Sequence, residues 1–162
     1  MITPKKLPFA TSTVPPEKSR NEIIKLLKDF GISDYAWSED LGQITLSFKV
    51  EVEYEGEPKL WNVIIRPPIL TEPKNVYDEK ERMIVEKQIP NYVQSFRFLL
   101  NHLKTKLMAV ACGAVKFEEE FMADLAVRTP EGPKRFAEAI KQYQPGFLLE
   151  GPKTEVYGDK QA

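Results

Sequence analysis

Apolar and polar residues alternate strictly from Gln43 to Tyr54, which is the clearest pattern in the chain. Every even position is apolar and every odd position is polar; the apolar set is Ile44, Leu46, Phe48, Val50, Val52 and Tyr54. This period of two predicts an antiparallel strand with one buried face. Residues 55–58 then predict a turn, and residues 60–66 predict the returning strand. A third, shorter strand is expected over residues 34–38.

Helical spacing of apolar residues marks two other segments. The first, residues 17–30, places Ile23, Ile24, Leu27 and Phe30 on one stripe and stops at Gly31. The second follows Pro90, because proline interrupts a helix, and runs over residues 91–112. Its stripe consists of Tyr92, Phe96, Leu99, Leu103, Leu107 and Val110. Residues 67–79 are expected to form a polar loop, with a short helix beginning near Asp78.

The predicted fold class is α+β. A small twisted antiparallel sheet of about three strands packs its even-numbered face against the long helix and the N-terminal helix. Short C-terminal helices are predicted over residues 117–125 and 134–143. One domain is expected to span residues 1–150, with an extended proline-rich arm over residues 1–16. Residues 151–162 are predicted to be a flexible C-terminal tail.

Composition and charge narrow the possible partners. The chain has 162 residues, of which 42% are hydrophobic, and 23 Lys plus Arg against 24 Asp plus Glu. This balance gives no overall attraction to nucleic acid or to an anionic membrane, so any such binding needs a local patch. No apolar run approaches the eighteen residues of a membrane span, and the N-terminus has no apolar leader. We therefore expect a cytoplasmic protein with no membrane partner.

The residues that usually carry catalysis are scarce. The sequence contains no glycine-rich phosphate loop and no Cys or His pair at metal spacing, so no cofactor is expected. The single Cys112 is predicted to be a small buried residue in a reducing compartment. Glu118, Glu120 and Asp124 are the best candidates for a metal site, since Glu120 and Asp124 share a helix face. A solvated acidic face explains them more simply.

Charge is unevenly distributed, and this is the most informative hint of function. Residues 87–116 contain five basic residues and no acid, whereas residues 117–124 contain four acids and no base. If the two long helices lie on the same side of the sheet, their outer surfaces form a basic ridge that follows a phosphate backbone. The candidate contacts are Arg97, Lys104, Lys106, Lys18, Arg20, Lys25 and Lys28. An ordinary solvated helix face is the alternative interpretation.

Two stretches of the sequence resemble a known family. Residues 11–31 read TSTVPPEKSRNEIIKLLKDFG, and residues 98–123 contain LKTKLMAVACGAVKFEEEFMA. Together they resemble a family of small uncharacterised proteins of bacteriophages and prophages. The resemblance implies a gene product of a phage or mobile element, located in the host cytoplasm, but brings no established activity or site residues. The family often ends soon after a turn like residues 128–132, whereas this chain continues for thirty residues.

Three functional hypotheses follow from the sequence. The leading one is a non-enzymatic accessory protein of phage DNA metabolism that contacts single-stranded or duplex nucleic acid through the basic helix surface. The second is a protein-interaction module that binds a host or phage protein or forms a homo-oligomer. The third is a metal-dependent hydrolase that uses Glu118, Glu120 and Asp124.

Overall fold

The computed structural model describes residues 6–143, which form an α+β fold as predicted. The helices are α1 (Pro16–Asp29), α2 (Tyr92–Ala111), α3 (Phe117–Phe121) and α4 (Phe136–Tyr143), and a short 3₁₀ turn (Met122–Asp124) follows α3. The strands are β1 (Tyr35–Asp40), β2 (Gln43–Tyr54), β3 (Glu57–Ile65), β4 (Thr71–Asp78), β5 (Met83–Pro90), β6 (Ala126–Thr129) and β7 (Gly132–Arg135).

The alternating segment is the central strand of a three-stranded antiparallel sheet with the order β1-β2-β3. Both connections are two-residue turns in which both residues have positive φ: Leu41–Gly42 and Glu55–Gly56. Such turns match the twist of the strands that they join. Ile44, Leu46 and Phe48 are buried on the even-numbered face, so the prediction of a half-buried β2 is confirmed.

Helices α1 and α2 pack side by side over this apolar face of the sheet. Arg20 of α1 lies beside Phe96 of α2, and Glu22 lies beside Arg97, so the two helices run in the same direction. The core that they close is built from the buried residues Ile23, Leu27, Leu46, Phe48, Val63, Leu99, Leu103 and Phe121. The two long helices therefore lie on the same side of the sheet, which is the condition that a shared basic surface requires.

Polar groups fix the N-terminal end of α2. The Asn91 side chain accepts a hydrogen bond from the Gln94 amide at 2.9 Å and caps the helix. The Gln94 side chain donates to the Pro8 carbonyl at 2.7 Å, and Ser95 Oγ accepts from the Leu70 amide at 2.9 Å. Buried Gln94 and Ser95 thus attach the N-terminal arm and the preceding connection to the core.

The segment after β3 departs from the prediction. Strands β4 and β5 form a separate antiparallel hairpin where a polar loop and a short helix near Asp78 were expected. The hairpin makes hardly any contact with the other helices and strands described. Most of its side chains are exposed on both faces, so burial imposes no alternation of apolar and polar residues.

The C-terminal half differs in detail. Strands β6 and β7 form a hairpin that was not predicted, between the two short C-terminal helices, and α4 begins at Phe136. Cys112 is exposed at the end of α2, so the prediction that it is buried is wrong.

Within the arm, residues 8–11 form a turn, with Phe9 at a φ of 60°. Residues 1–5 and the predicted tail at 151–162 lie outside the described residues. No helix of the described part is long and apolar enough to cross a membrane.

Candidate nucleic-acid interface

A groove between α1 and α2 brings together three of the predicted basic residues. Lys25 of α1 and Arg97 and Lys104 of α2 line this groove, which has a volume of about 340 Å³. Lys25 and Lys104 are exposed, whereas Arg97 is half-buried. Residues that are more than seventy positions apart in sequence thus share one surface, because the helices are parallel and adjacent. We call this surface the helix groove.

Two carboxylates that sequence reasoning missed also line the helix groove. Glu22 Oε2 lies 2.7 Å from Arg97 Nη1, and Asp29 lies about two turns further along α1. Glu22, Lys25 and Asp29 are spaced three and four apart, so the sequence did contain the signal that they share a face. The guanidinium of Arg97 is therefore largely offset by Glu22, and the free positive charge of the groove comes from its lysines.

Lys18 and Lys28 extend the positive charge along α1. Both side chains are exposed, and neither forms an ion pair with another described residue. With Lys25 and Lys104 they make four solvated ammonium groups on the outer face of the helix pair. A solvated ammonium group loses little by exchanging water for a phosphate oxygen.

The side chain of Arg20 is partly buried against aromatic rings. Its guanidinium carbon lies 4.8 Å from the centre of the Trp37 ring and 5.7 Å from that of Phe96. A cation over aromatic faces is held by the ring quadrupoles. Arg20 Nε is buried and has no hydrogen-bond partner among the described residues. The structure therefore assigns Arg20 to the packing of α1 on α2 and β1.

Lys106 lies within a cluster of charged side chains. Its Nζ donates to the Glu120 carbonyl at 2.6 Å, lies 3.4 Å from Asp124 Oδ2 and 3.5 Å from Glu120 Oε1, and sits 4.9 Å from the Phe121 ring centre. Asp124 also accepts from Arg135, whose other nitrogen approaches Glu138. The Lys106 side chain is only 13% exposed. Its positive charge is therefore paired with carboxylates inside the protein and is not available to a phosphate group.

The same cluster accounts for the metal-site candidates. Glu120 and Asp124 converge as their spacing predicted, but both face the Lys106 ammonium, and Asp124 also faces Arg135. Glu118 makes no ion pair with a described residue. Within residues 6–143, no group of three or more His, Cys, Asp or Glu side chains is arranged to hold a metal ion.

The single histidine lies on the same helix as Lys104 and Lys106. His102 stacks on Phe98, with ring centres 5.8 Å apart and planes at 8°. Partial burial, followed by the positive charge of Lys106, lowers the pKa of His102 below its ordinary value. The imidazole is therefore neutral at pH 7 and adds no charge to the helix surface.

Comparison with models of known protein families, with curated proteins and with solved structures gave no match. The resemblance to bacteriophage proteins therefore stays a prediction, and the interpretation of the helix groove depends on its geometry.

Proposed function

We propose that this protein is a non-enzymatic accessory protein that contacts nucleic acid through the helix groove and the lysines beside it. The observation that carries the proposal is the convergence of Lys25, Arg97 and Lys104 in one groove between parallel helices. Lys18 and Lys28 extend this surface along α1. Arg20 and Lys106, which the sequence also suggested, are engaged in internal contacts and form no part of it.

The expected binding is electrostatic and independent of sequence. Four solvated lysines that each neutralise one phosphate give a slope of log affinity against log salt of about −3.6 on duplex DNA and about −2.8 on single strands. Lysine contacts to phosphate read no base edges, so affinity should vary little with base sequence. A bacteriophage origin and a place in the host cytoplasm belong to this proposal as expectations from the resemblance.

Fluorescence anisotropy with single-stranded and duplex DNA and RNA oligonucleotides at about 50 and 200 mM salt measures this slope. Each lost phosphate contact weakens binding about eightfold at about 0.1 M salt. On duplex DNA, Lys25→Gln with Lys104→Gln should therefore weaken binding about 60-fold and reduce the slope by about 1.8. Lys49→Gln with Lys141→Gln is the matched control, since both lysines are exposed and lie outside α1 and α2.

The carboxylates of the helix groove provide a test in the opposite direction. Glu22→Gln with Asp29→Asn removes the two negative charges that line the groove and releases Arg97, so binding should become tighter and the slope steeper. No binding to any of the oligonucleotides at low salt would overturn the proposal. An unchanged slope in the Lys25→Gln/Lys104→Gln variant would overturn it as well.

A further inference from the structure

The β4–β5 hairpin leaves apolar side chains uncovered. Tyr77 and Ile84 lie opposite each other on one face and are 61% and 67% exposed, and Met83 beside the turn is 54% exposed. A hairpin of two strands is marginally stable in water on its own, because it has no second layer on which to bury a face. The hairpin therefore presents apolar surface that a partner can cover.

The turn of the hairpin is nevertheless well defined. Asp78 Oδ1 accepts hydrogen bonds from the backbone amides of Lys80 and Glu81, and Asp78 Oδ2 accepts one from Lys87 Nζ at 2.6 Å. The Lys87 hydrogen bond and the two backbone amides lower the pKa of Asp78. At its base, Asn91 Nδ2 donates to Glu72 at 2.8 Å. These bonds hold the hairpin in one conformation before it meets a partner, which reduces the entropy lost on binding.

A second uncovered surface follows the outer edge of β3. Val63 forms a bridge to Leu125, but residues 57–62 pair with no described strand on this edge. A groove of about 790 Å³ separates the edge from the β6–β7 hairpin, and Trp61 is among the apolar residues that line it. We call it the β3 groove.

Charge distinguishes the β3 groove from its surroundings. Lys59 and Arg128 line it, and no carboxylate does. The Lys59 ammonium lies 4.7 Å from the centre of the Tyr54 ring, on the face of the sheet that the helices cover further along. The groove therefore suits an extended segment that carries both apolar and acidic residues.

We propose that the β4–β5 hairpin of a second copy of this chain occupies the β3 groove, with its β5 strand added to the open edge of β3. An unpaired edge of this kind pairs readily with another strand. Strand β5 is favoured over β4 because β4 contains Pro73, which lacks a backbone donor in mid-strand. The hairpin turn carries Glu79 and Glu81 as well as Lys80 and Arg82, and the proposed arrangement places the two carboxylates opposite the two cations of the groove.

The two surfaces belong to different parts of the chain, so each copy offers one hairpin and one groove. Two copies form a closed dimer when each places its hairpin in the β3 groove of the other. If the rotation that relates one copy to the next does not bring them back together, the same contact builds a longer array. In both cases one contact covers the exposed side chains of the hairpin. The same contact gives hydrogen-bond partners to the unpaired backbone groups on the outer edge of β3.

Sedimentation analysis of the full chain over about a hundredfold range of protein concentration tests the proposal. We expect reversible association as concentration rises. Tyr77→Ser with Ile84→Ser should raise the dissociation constant about 30-fold, as the loss of a dominant apolar anchor does. Leu41→Ser is the matched control, because Leu41 is fully exposed but lies in the β1–β2 turn, outside both surfaces. A protein that remains monomeric throughout the range overturns the proposal.

A charge exchange identifies the occupant of the β3 groove. Lys59→Glu with Arg128→Glu should abolish association, and so should Glu79→Lys with Glu81→Lys. The chain that carries all four substitutions should associate again, because the opposite charges face each other once more. Failure of this variant to associate while its circular dichroism stays native overturns the assignment of the hairpin. Hydrogen exchange provides a second readout: within residues 59–62 and 83–88, the backbone amides that face the new contact should gain protection together with association.

Discussion

Replacing Asp124 with Asn tests whether the charged cluster around Lys106 holds the C-terminal half of the fold on α2. Asp124 is 5% exposed and lies between the Lys106 ammonium and the Arg135 guanidinium. At 3.4 Å and an effective dielectric constant of about 20, the attraction between Lys106 and Asp124 is about 5 kcal/mol. The cost of removing both groups from water offsets part of this attraction. Removal of Asp124 alone leaves two half-paired cations, and we expect a loss of about 3 kcal/mol.

The assay is urea unfolding monitored by circular dichroism, carried out on the variants of a double-mutant cycle. A loss of about 3 kcal/mol corresponds to a fall in melting temperature of about 6 to 12 °C for a chain of this size. The variant with both Asp124→Asn and Lys106→Met should be more stable than the sum of the single losses predicts, by about 1 kcal/mol or more. Lys104→Met is the matched control, because Lys104 is exposed on the same helix. A loss below about 1 kcal/mol for Asp124→Asn would refute the reasoning, and so would a coupling energy of zero.

The same variants separate the structural cluster from the nucleic-acid surface. Lys106→Met should lower stability but leave the salt slope unchanged, since the Lys106 ammonium faces Glu120 and Asp124. Lys104→Met should leave stability unchanged but reduce the salt slope by about one. A reduced slope in the Lys106→Met variant would show that this lysine reaches the solvent and that the cluster is wrongly described.

Three further substitutions have defined outcomes. Leu41→Asn should stabilise the fold by about 0.5 to 1 kcal/mol in urea unfolding, because Leu41 has a φ of 49° that asparagine tolerates better; equal or lower stability contradicts this. Phe121→Ala should cost about 3 to 5 kcal/mol, since its fully buried ring packs edge-on against Phe48; a loss below about 2 kcal/mol contradicts this. The lowered pKa of His102 means that the folded state binds fewer protons, so stability should fall as pH drops below about 6.5. His102→Gln should reduce that fall, and an unchanged pH profile contradicts the assignment.

The three-stranded sheet and the two long helices were predictable because each has one buried face. In β2 that face makes every second residue apolar, and in α2 it places Leu99, Leu103 and Leu107 on one stripe. The β4–β5 hairpin has no buried face, so its apolar residues stand side by side, as Met83, Ile84 and Val85 do, and not at every second position. The periodicity of apolar residues reflects which side chains are buried. A helix or strand that buries few side chains within its own chain therefore shows little periodicity.

The candidate site was predictable only in part. The spacing of Lys25, Arg97 and Lys104 showed which helix faces are basic, but the pairing of Arg97 with Glu22 depends on how two distant helices pack. Lys106 gave a local signal that charge counting overlooked. It lies seven residues after Leu99 and three after Leu103, and therefore at the border of the buried stripe of α2. A lysine in that position directs its ammonium to whatever packs beside the helix.

The two proposed surfaces lead to one combined prediction, because four phosphate contacts bind nucleic acid only weakly at physiological salt. Self-association places two helix grooves in one assembly, and a long oligonucleotide that reaches both gains affinity from the second contact. Tyr77→Ser with Ile84→Ser should therefore weaken binding of a long oligonucleotide but leave binding of a short one unchanged. Equal weakening for both lengths would mean that the hairpin itself contacts nucleic acid. Unchanged binding of both lengths, with association lost, would mean that the grooves of one assembly face directions that no single strand connects.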